Sequence, residues 1–213
     1  MIAILDYRAG NLTSVGRALH YLNQSYLITA DPAILQEASH LIFPGVGAAG
    51  EAMAHLRQTH LDRCIREWVR GGKPMLGICL GTQVIFDHSE ENDTVCLKIV
   101  PGCVRQFPKN LHHDGQDLKV PHMGWNHVDF QKEHPVFRGL AEDSEFYFVH
   151  SYYPAPADER WVIGWTDYGM RFCAALAQRN LVAVQFHPEK SGRPGLQILD
   201  NFCRWQGGGE NAQ

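Results

Sequence analysis

The stretch PMLGICLGTQ, residues 74–83, places Cys79 between two glycines, with strand-like sequence before it and helix-like sequence after it. Met75 to Ile78 is a short apolar run of the kind found in a buried strand. Gly77 and Gly81 then allow a sharp bend that a side chain would crowd. Such a bend pushes its middle residue into a strained, exposed position above a sheet, as G-x-S-x-G does for serine nucleophiles. Free N–H groups at the start of a following helix favour an anion, and the thiolate is the reactive form of cysteine. The Leu80 N–H points into the same region and suits an oxyanion. A buried cysteine in a glycine-rich turn is the competing reading, and only a partner base decides between them.

Outward from this bend the first half alternates strand and helix patterns. Ile2 to Asp6 is a buried strand. Asn11 is placed to cap a helix carrying Leu12, Val15, Ala18, Leu19 and Leu22. Tyr26 to Thr29 is a second strand, Asp31-Pro32 opens a short helix, and Leu41 to Phe43 is a third strand ending in Pro44-Gly45-Val46-Gly47. Leu61 to Val69 is amphipathic and stops at Gly71-Gly72. The second half reads as strands with turns: Val95 to Val104, Lys119 to His122, Asn126 to Phe130, Phe146 to Val149, Trp161 to Trp165 and Ala174 to Gln185. Leu196 to Trp205 is a closing helix. The pattern predicts an α/β fold: a central, mostly parallel sheet flanked by helices, with additional antiparallel strands in the second half. A single domain over 1–206 with a frayed tail, 207–213, fits the length.

The base is found at Gln185-Phe186-His187-Pro188-Glu189, which follows the strand run Leu181 to Val184. His187 and Glu189 are two apart, and at an extended strand end such positions face the same side. Glu189 then holds the imidazole in one tautomer while His187 faces a thiol. Taken alone, H-P-E is better read as a strand-ending turn with a surface His and Glu; paired with Cys79, the catalytic reading wins. Both motifs leave the carboxyl end of a sheet strand, where open α/β sheets place their sites. The Pro44–Gly47 loop also leaves a strand end, and its glycines let backbone N–H groups approach a ligand or rotate.

Lys and Arg number 19 against 23 Asp and Glu, a formal charge of −4, which argues against a nucleic-acid binder. No apolar run approaches the roughly 18 residues of a membrane span. The apolar start lacks a basic region and is cut short by Asp6 and Arg8, so it reads as a strand and not a signal peptide; the expected setting is cytoplasmic. None of the six cysteines forms C-x-x-C. His112-His113-Asp114, with His122 and His127, has no spacing of a closed metal site and reads as a solvated loop plus residues of the block around 120–126. No metal or cofactor is expected.

These residues together resemble the class I glutamine amidotransferases, with Cys79, His187 and Glu189 as the triad. DYRAGNLTSV (6–15), FPGVG (43–47), GICLGTQ (77–83), VPHMGWN (120–126), FYFVHSYY (146–153) and VQFHPEKSG (184–192) are similar to one branch of that family, in family order over nearly the whole chain. The resemblance implies glutamine hydrolysis through a cysteine thioester. It implies oxyanion contacts from Leu80 and from Val46 or Gly47, and glutamine binding by Gln83, Gly47, Ser151 and Tyr152. It also implies a partner: a cyclase, a (β/α)₈ barrel, joined as a heterodimer. That cyclase takes the ammonia and makes imidazole glycerol phosphate and aminoimidazole carboxamide ribotide in histidine biosynthesis. Asn11, Pro121, Met123, Trp125 and Asn126 match the partner-facing positions. Ordinary core packing is the competing reading for Met123 and Trp125. Activity is expected to stay weak until the partner binds its nucleotide, with the Gly45–Gly47 backbone turned away at rest.

The chain departs from the family pattern at Thr82, Ala49, Ala183 and Val95–Lys98, none of which removes a reacting group. Three other readings stay open: an amidotransferase subunit of another synthase, a stand-alone cysteine amide hydrolase, and a non-catalytic docking module on the same fold.

Overall fold

The computed structural model describes residues 1–8, 10–113 and 115–208. Its centre is an eight-stranded sheet. Five neighbouring strands are parallel, in the order Leu181–Val184, β4 (Met75–Ile78), β3 (His40–Phe43), β1 (Ile2–Leu5) and β2 (Tyr26–Thr29). Beyond Leu181–Val184 the sheet continues antiparallel through Arg171–Gln178, Val162–Asp167 and Asp129–Phe130. The expected mostly parallel sheet with antiparallel strands from the second half is thus what the chain forms.

Each inner strand is buried on both faces, which explains its unbroken apolar sequence. Ala3, Leu5, Leu41, Phe43 and Met75 point into one core layer; Ile2, Ile4, Ile42, Leu76 and Ile78 point into the other. The helices divide between them. α1 (Leu12–Tyr21) covers the second layer with Val15, Ala18 and Leu19, together with Ile198, Leu199 and Phe202 of the closing helix Gly192–Arg204. The first layer is covered by the helices Ala49–Gln58 and Leu61–Arg70.

Several local readings need correction. The helix Ala49–Gln58 carries its buried face on Ala49, Ala52, Met53 and Leu56; small alanines gave little periodic signal. The run 95–104 is interrupted: Thr94–Val95 and Gly102–Gln106 are strands, but Lys98 has φ 55° and the N–H groups of Leu97, Lys98 and Ile99 donate to Val84, Phe86 and Ile85 carbonyls. Those bonds take up the carbonyls of the turn that follows the helix Leu80–Gln83, in place of a ladder. Lys119 to Pro121 is not a strand; the strand begins at His122 and runs to His127. Ala174 to Gln185 is a hairpin, because Arg179 takes φ 55° and Gln178 pairs with Leu181. Of the predicted frayed tail 207–213, residues 209–213 lie outside the described residues.

Candidate active site

Three adjacent strands, β3, β4 and Leu181–Val184, point their carboxyl ends the same way and deliver Gly45–Gly47, Cys79 and His187 to one place. The bend at Cys79 is strained, with φ 52° and ψ −105°, in a region that non-glycine residues rarely occupy. It is held from both sides. The Cys79 N–H donates to the Val184 carbonyl at 2.9 Å, and the Thr82 hydroxyl donates to the same oxygen at 2.7 Å. Thr82, a departure from the family pattern, therefore ties the bend to the neighbouring strand. A Cβ at Gly81 would lie 1.8 Å from the Phe43 carbonyl oxygen, so only glycine lets the helix Leu80–Gln83 cross the end of β3. That helix is a single turn, so local N–H groups, not a long helix dipole, face the sulfur.

His187 is fully buried, and its Nδ1 lies 2.8 Å from Glu189 Oε1. A carboxylate only accepts, so Nδ1 carries the proton and Nε2 is left for the thiol. Nε2 makes no regular hydrogen bond among the described residues; it faces Cys79. Burial opposes a charge on His187, but the Cys79 sulfur and the Glu189 carboxylate together outweigh burial and raise its pKa to about 9. Glu189 Oε1 also accepts from the Asn11 side chain. Asn11 precedes α1 but makes no side-chain cap there; its φ of 77° turns the amide inward to the carboxylate. The capping role read from the sequence is replaced by a contact to the Glu189 carboxylate.

A cleft of about 290 Å³ opens beside Cys79, at the small end of the range for small-molecule sites. It brings together Val46, Gly47, Cys79, Leu80, Gln83, Ser151 and Tyr152, with Pro121 at its edge. Gln83 Nε2 donates to the Tyr152 carbonyl at 2.9 Å and to Gln185 Oε1 at 3.0 Å, and Gln185 Nε2 lies 3.6 Å from Cys79 Sγ. Gln185 and His150, which also lines the cleft, were not singled out in the sequence; Gln185 adjoins the His motif and was legible only as a buried polar residue. The Leu80 N–H does not point into empty space: it donates to the Gly45 carbonyl at 3.3 Å. In a second hollow, about 210 Å³ between Leu35, Cys64 and Trp68, burial and the nearby Glu67 and Asp62 carboxylates push the Cys64 thiol up, the opposite of an activated nucleophile.

Along the strand His122–His127, Met123 and Trp125 are 61% and 54% exposed. The core-packing reading fails for both. Pro121 is exposed, and Asn126 donates to the Asp167 carbonyl at 2.9 Å. Of the five partner-facing positions read from the sequence, four lie on this segment and Asn11 lies apart, half-buried against Glu189. Among the described residues no group of three His, Cys, Asp or Glu side chains is placed to hold a metal ion, and Asp114 lies outside them. Among the described residues no helix is long and apolar enough to cross a membrane.

The class-I glutamine amidotransferase family matches residues 3–205. A protein of Nitratidesulfovibrio vulgaris (strain Hildenborough) named imidazole glycerol phosphate synthase subunit HisH is 54% identical over 206 residues, 96% of each chain. Imidazole glycerol phosphate synthase subunit HisH 1 of Pseudomonas aeruginosa is 48% identical over 208 residues, 97% of each chain. Among solved structures, PurLQS of Thermotoga maritima superposes with a TM-score of 0.70 at 15% identity, over 95% of this chain and 97% of that one. At that identity the likeness speaks for the fold alone.

Proposed function

The chain belongs to the class I glutamine amidotransferase family, and from that premise we propose that it is the glutaminase subunit of an imidazole glycerol phosphate synthase, feeding ammonia to a cyclase. Identity of 46–54% to subunits of that name supports the assignment. The residue roles that follow are our reading of the geometry.

Cys79 Sγ attacks the side-chain amide carbon of glutamine. The carbonyl oxygen becomes an oxyanion and takes the Leu80 N–H, joined by an N–H of Val46 or Gly47. One such donor typically contributes about 3–4 kcal/mol to the transition state. The His187 imidazolium gives its proton to the leaving amine, so ammonia departs and a glutamyl thioester remains. His187 then takes a proton from water, which attacks the thioester, releases glutamate and restores the thiol. Glu189 fixes the tautomer that lets Nε2 do both. Gln83, Gly47 and the backbone at Ser151 and Tyr152 hold the substrate.

The Gly45 carbonyl on the Leu80 N–H supports a resting state whose oxyanion site is filled by its own loop. The 45–46 peptide must rotate before the donor is free. This favours a subunit activated by a partner over a free-standing hydrolase. The cyclase, a (β/α)₈ barrel, would seat on Pro121, Met123, Trp125 and Asn126, with Asn11 nearer the triad. A reducing cytoplasm suits six unpaired cysteines.

The observation that carries the reading is the buried His187 between Glu189 and the strained Cys79, which opens on a cleft of about 290 Å³. The test is glutamate release from glutamine, with the protein alone and with the cyclase plus its nucleotide ligand, using Cys79→Ser as control. Strong stimulation that disappears in Cys79→Ser is expected. Equal turnover with and without the cyclase would point to a free-standing hydrolase.

A further inference from the structure

Two histidines are buried side by side between the exposed strand and the cleft, and the triad does not use them. His122 and His150 are 2% and 5% exposed. They sit among aromatic rings: His122 stacks on Tyr168 at 4.0 Å and on Phe148 at 4.8 Å, and His150 lies 5.2 Å from both Phe107 and Phe172. A phenyl ring would fill either place without burying polar atoms, which costs stability unless every atom is paired. Here every ring nitrogen is paired.

The pairing also has a direction. The Tyr152 carbonyl, 2.8 Å from His150 Nδ1, can only accept, so that nitrogen carries the hydrogen. In a neutral ring His150 Nε2 is then an acceptor, and its partner at 3.0 Å, His122 Nδ1, must donate. That leaves His122 Nε2 as an acceptor for the Asn126 amide nitrogen at 3.3 Å. The orientation of Asn126 is set independently. Its Oδ1 accepts from the His127 N–H at 2.8 Å, and its Nδ2 also donates to the Asp167 carbonyl. Backbone groups thus fix both ends, and both rings are required to carry their hydrogen on Nδ1. Burial supports neutral rings, pushing His122 down to about 4 and His150 to about 3; the bond to the Tyr152 carbonyl pulls His150 up, and charge on His122 or His187 pushes it down further.

At the cleft the chain continues. The Tyr152 carbonyl that receives the His150 hydrogen also receives Gln83, and Gln83 reaches Gln185, which touches Cys79 Sγ. We propose that His122 and His150 form a positioning relay, a hydrogen-bond chain of fixed direction that ties the exposed strand 122–127 to the glutamine-holding groups at Tyr152 and Gln83. Neither histidine is a catalytic residue. The relay rests on the reading above, in which this cleft binds glutamine and the strand meets the partner.

The test uses the complex with the cyclase and its nucleotide ligand. His122→Phe keeps a ring and removes the chain. Loss of one positioning hydrogen bond should raise the KM for glutamine about tenfold, with kcat changed less than about threefold. His122→Asn puts an amide N–H near the Nδ1 position and should stay within about threefold of the parent. The cyclase dissociation constant should be unchanged in both. An unchanged KM in His122→Phe, or equal loss in the two variants, overturns the relay in favour of packing alone. Nitrogen-15 spectra of the isolated protein test it independently of activity. Both rings should show hydrogen on Nδ1 and stay neutral down to about pH 5. Hydrogen on Nε2 of either ring refutes the chain even if the unmodified complex shows no stimulated glutaminase, the result that would sink the functional reading instead.

Discussion

Replacing Glu189 by Gln tests the electrostatics of the proposed triad, because it keeps the shape and an acceptor oxygen while removing the charge. Nδ1 of His187 lies 2.8 Å from that carboxylate, and neither side chain is exposed to solvent. Removing an opposite charge this close moves a pKa by about one to two units, which equals about 1.4–2.7 kcal/mol. His187, held at about 9 with Cys79 and Glu189 both pulling it up, should then titrate near neutrality to mildly alkaline pH. The imidazolium is the acid that releases ammonia, so the alkaline limb of kcat/KM should move down by about one to two pH units. At about pH 8.5 the variant should retain roughly a tenth of its plateau activity, where the parent keeps most of its own. The assay is glutamate release by the complex from about pH 6 to 10. Stability gives a second readout of fixed sign. A histidine whose folded pKa is raised adds stability that is complete below about 6.5 and lost as pH rises through about 9. Glu189→Gln should therefore be less stable than the parent at about pH 6, and the gap should narrow by about pH 10. An unmoved alkaline limb would refute the assignment of His187 as the acid held charged by Glu189.

Trp125→Ala should leave the melting of the isolated protein nearly unchanged, within about 0.5 kcal/mol, because the ring is half exposed. The same change should weaken cyclase binding by about 2 kcal/mol, roughly thirtyfold by calorimetric titration; unchanged affinity would remove this strand from the interface. Gly81→Ala must displace the Phe43 carbonyl, since its Cβ would stand 1.8 Å away. A denaturant melt should show a loss of about 3 kcal/mol, and wild-type stability would show that the bend has room. His122 and His150 have folded pKa values far below the unfolded one, so the unfolded chain binds protons first as pH falls through about 6.5. His134 is pushed down to about 4 in the same way, so stability should fall by roughly 2 kcal/mol for each of the three rings between pH 6.5 and about pH 4.5, with about a third of that fall gone in His122→Asn.

What could be read from the sequence is what short-range physics determines. Four runs buried on both faces announced the parallel strands, and Gly-x-Cys-x-Gly announced the bend, because a crossing as close as Gly81 over Phe43 tolerates one residue type. His187 and Glu189 were legible because the carboxylate sits two residues from its ring. Contacts that depend on chains far apart left no such mark. Asn11 reads as a helix cap, and only folding brings it to Glu189, 178 residues away. The hairpin at Arg179 lacks the Asn-Gly signature of a two-residue turn, so its two strands ran together. In the sequence His122 falls among scattered histidines that read as a solvated loop, and His150 is one residue of the 146–153 block, so neither announces a buried pair. Their partnership follows from antiparallel register, in which they are directly opposed.

That register also explains how a surface could influence chemistry on the far side of the strand. The strand His122–His127 pairs with Glu145–His150 alone, in a two-stranded ribbon outside the eight-stranded sheet. At its far end the strand is anchored to that sheet, Asn126 donating to the Asp167 carbonyl and the His127 carbonyl accepting from the Thr166 hydroxyl. Its alternation sends Met123 and Trp125 outward and His122 inward, so one small movement acts on both faces. His150 runs directly into Ser151 and Tyr152, which line the cleft. On the opposite side of the cleft, the Leu80 N–H is occupied by the Gly45 carbonyl through a single hydrogen bond of 3.3 Å. Exchanging one such bond costs about 1 kcal/mol net, well within what a partner with differential affinity for two states can supply. A resting site closed by one weak contact and reached from the surface by one short ribbon needs no large rearrangement to open. The proposed activation therefore calls for a local change, and a rigid eight-stranded sheet beneath it is what keeps that change local.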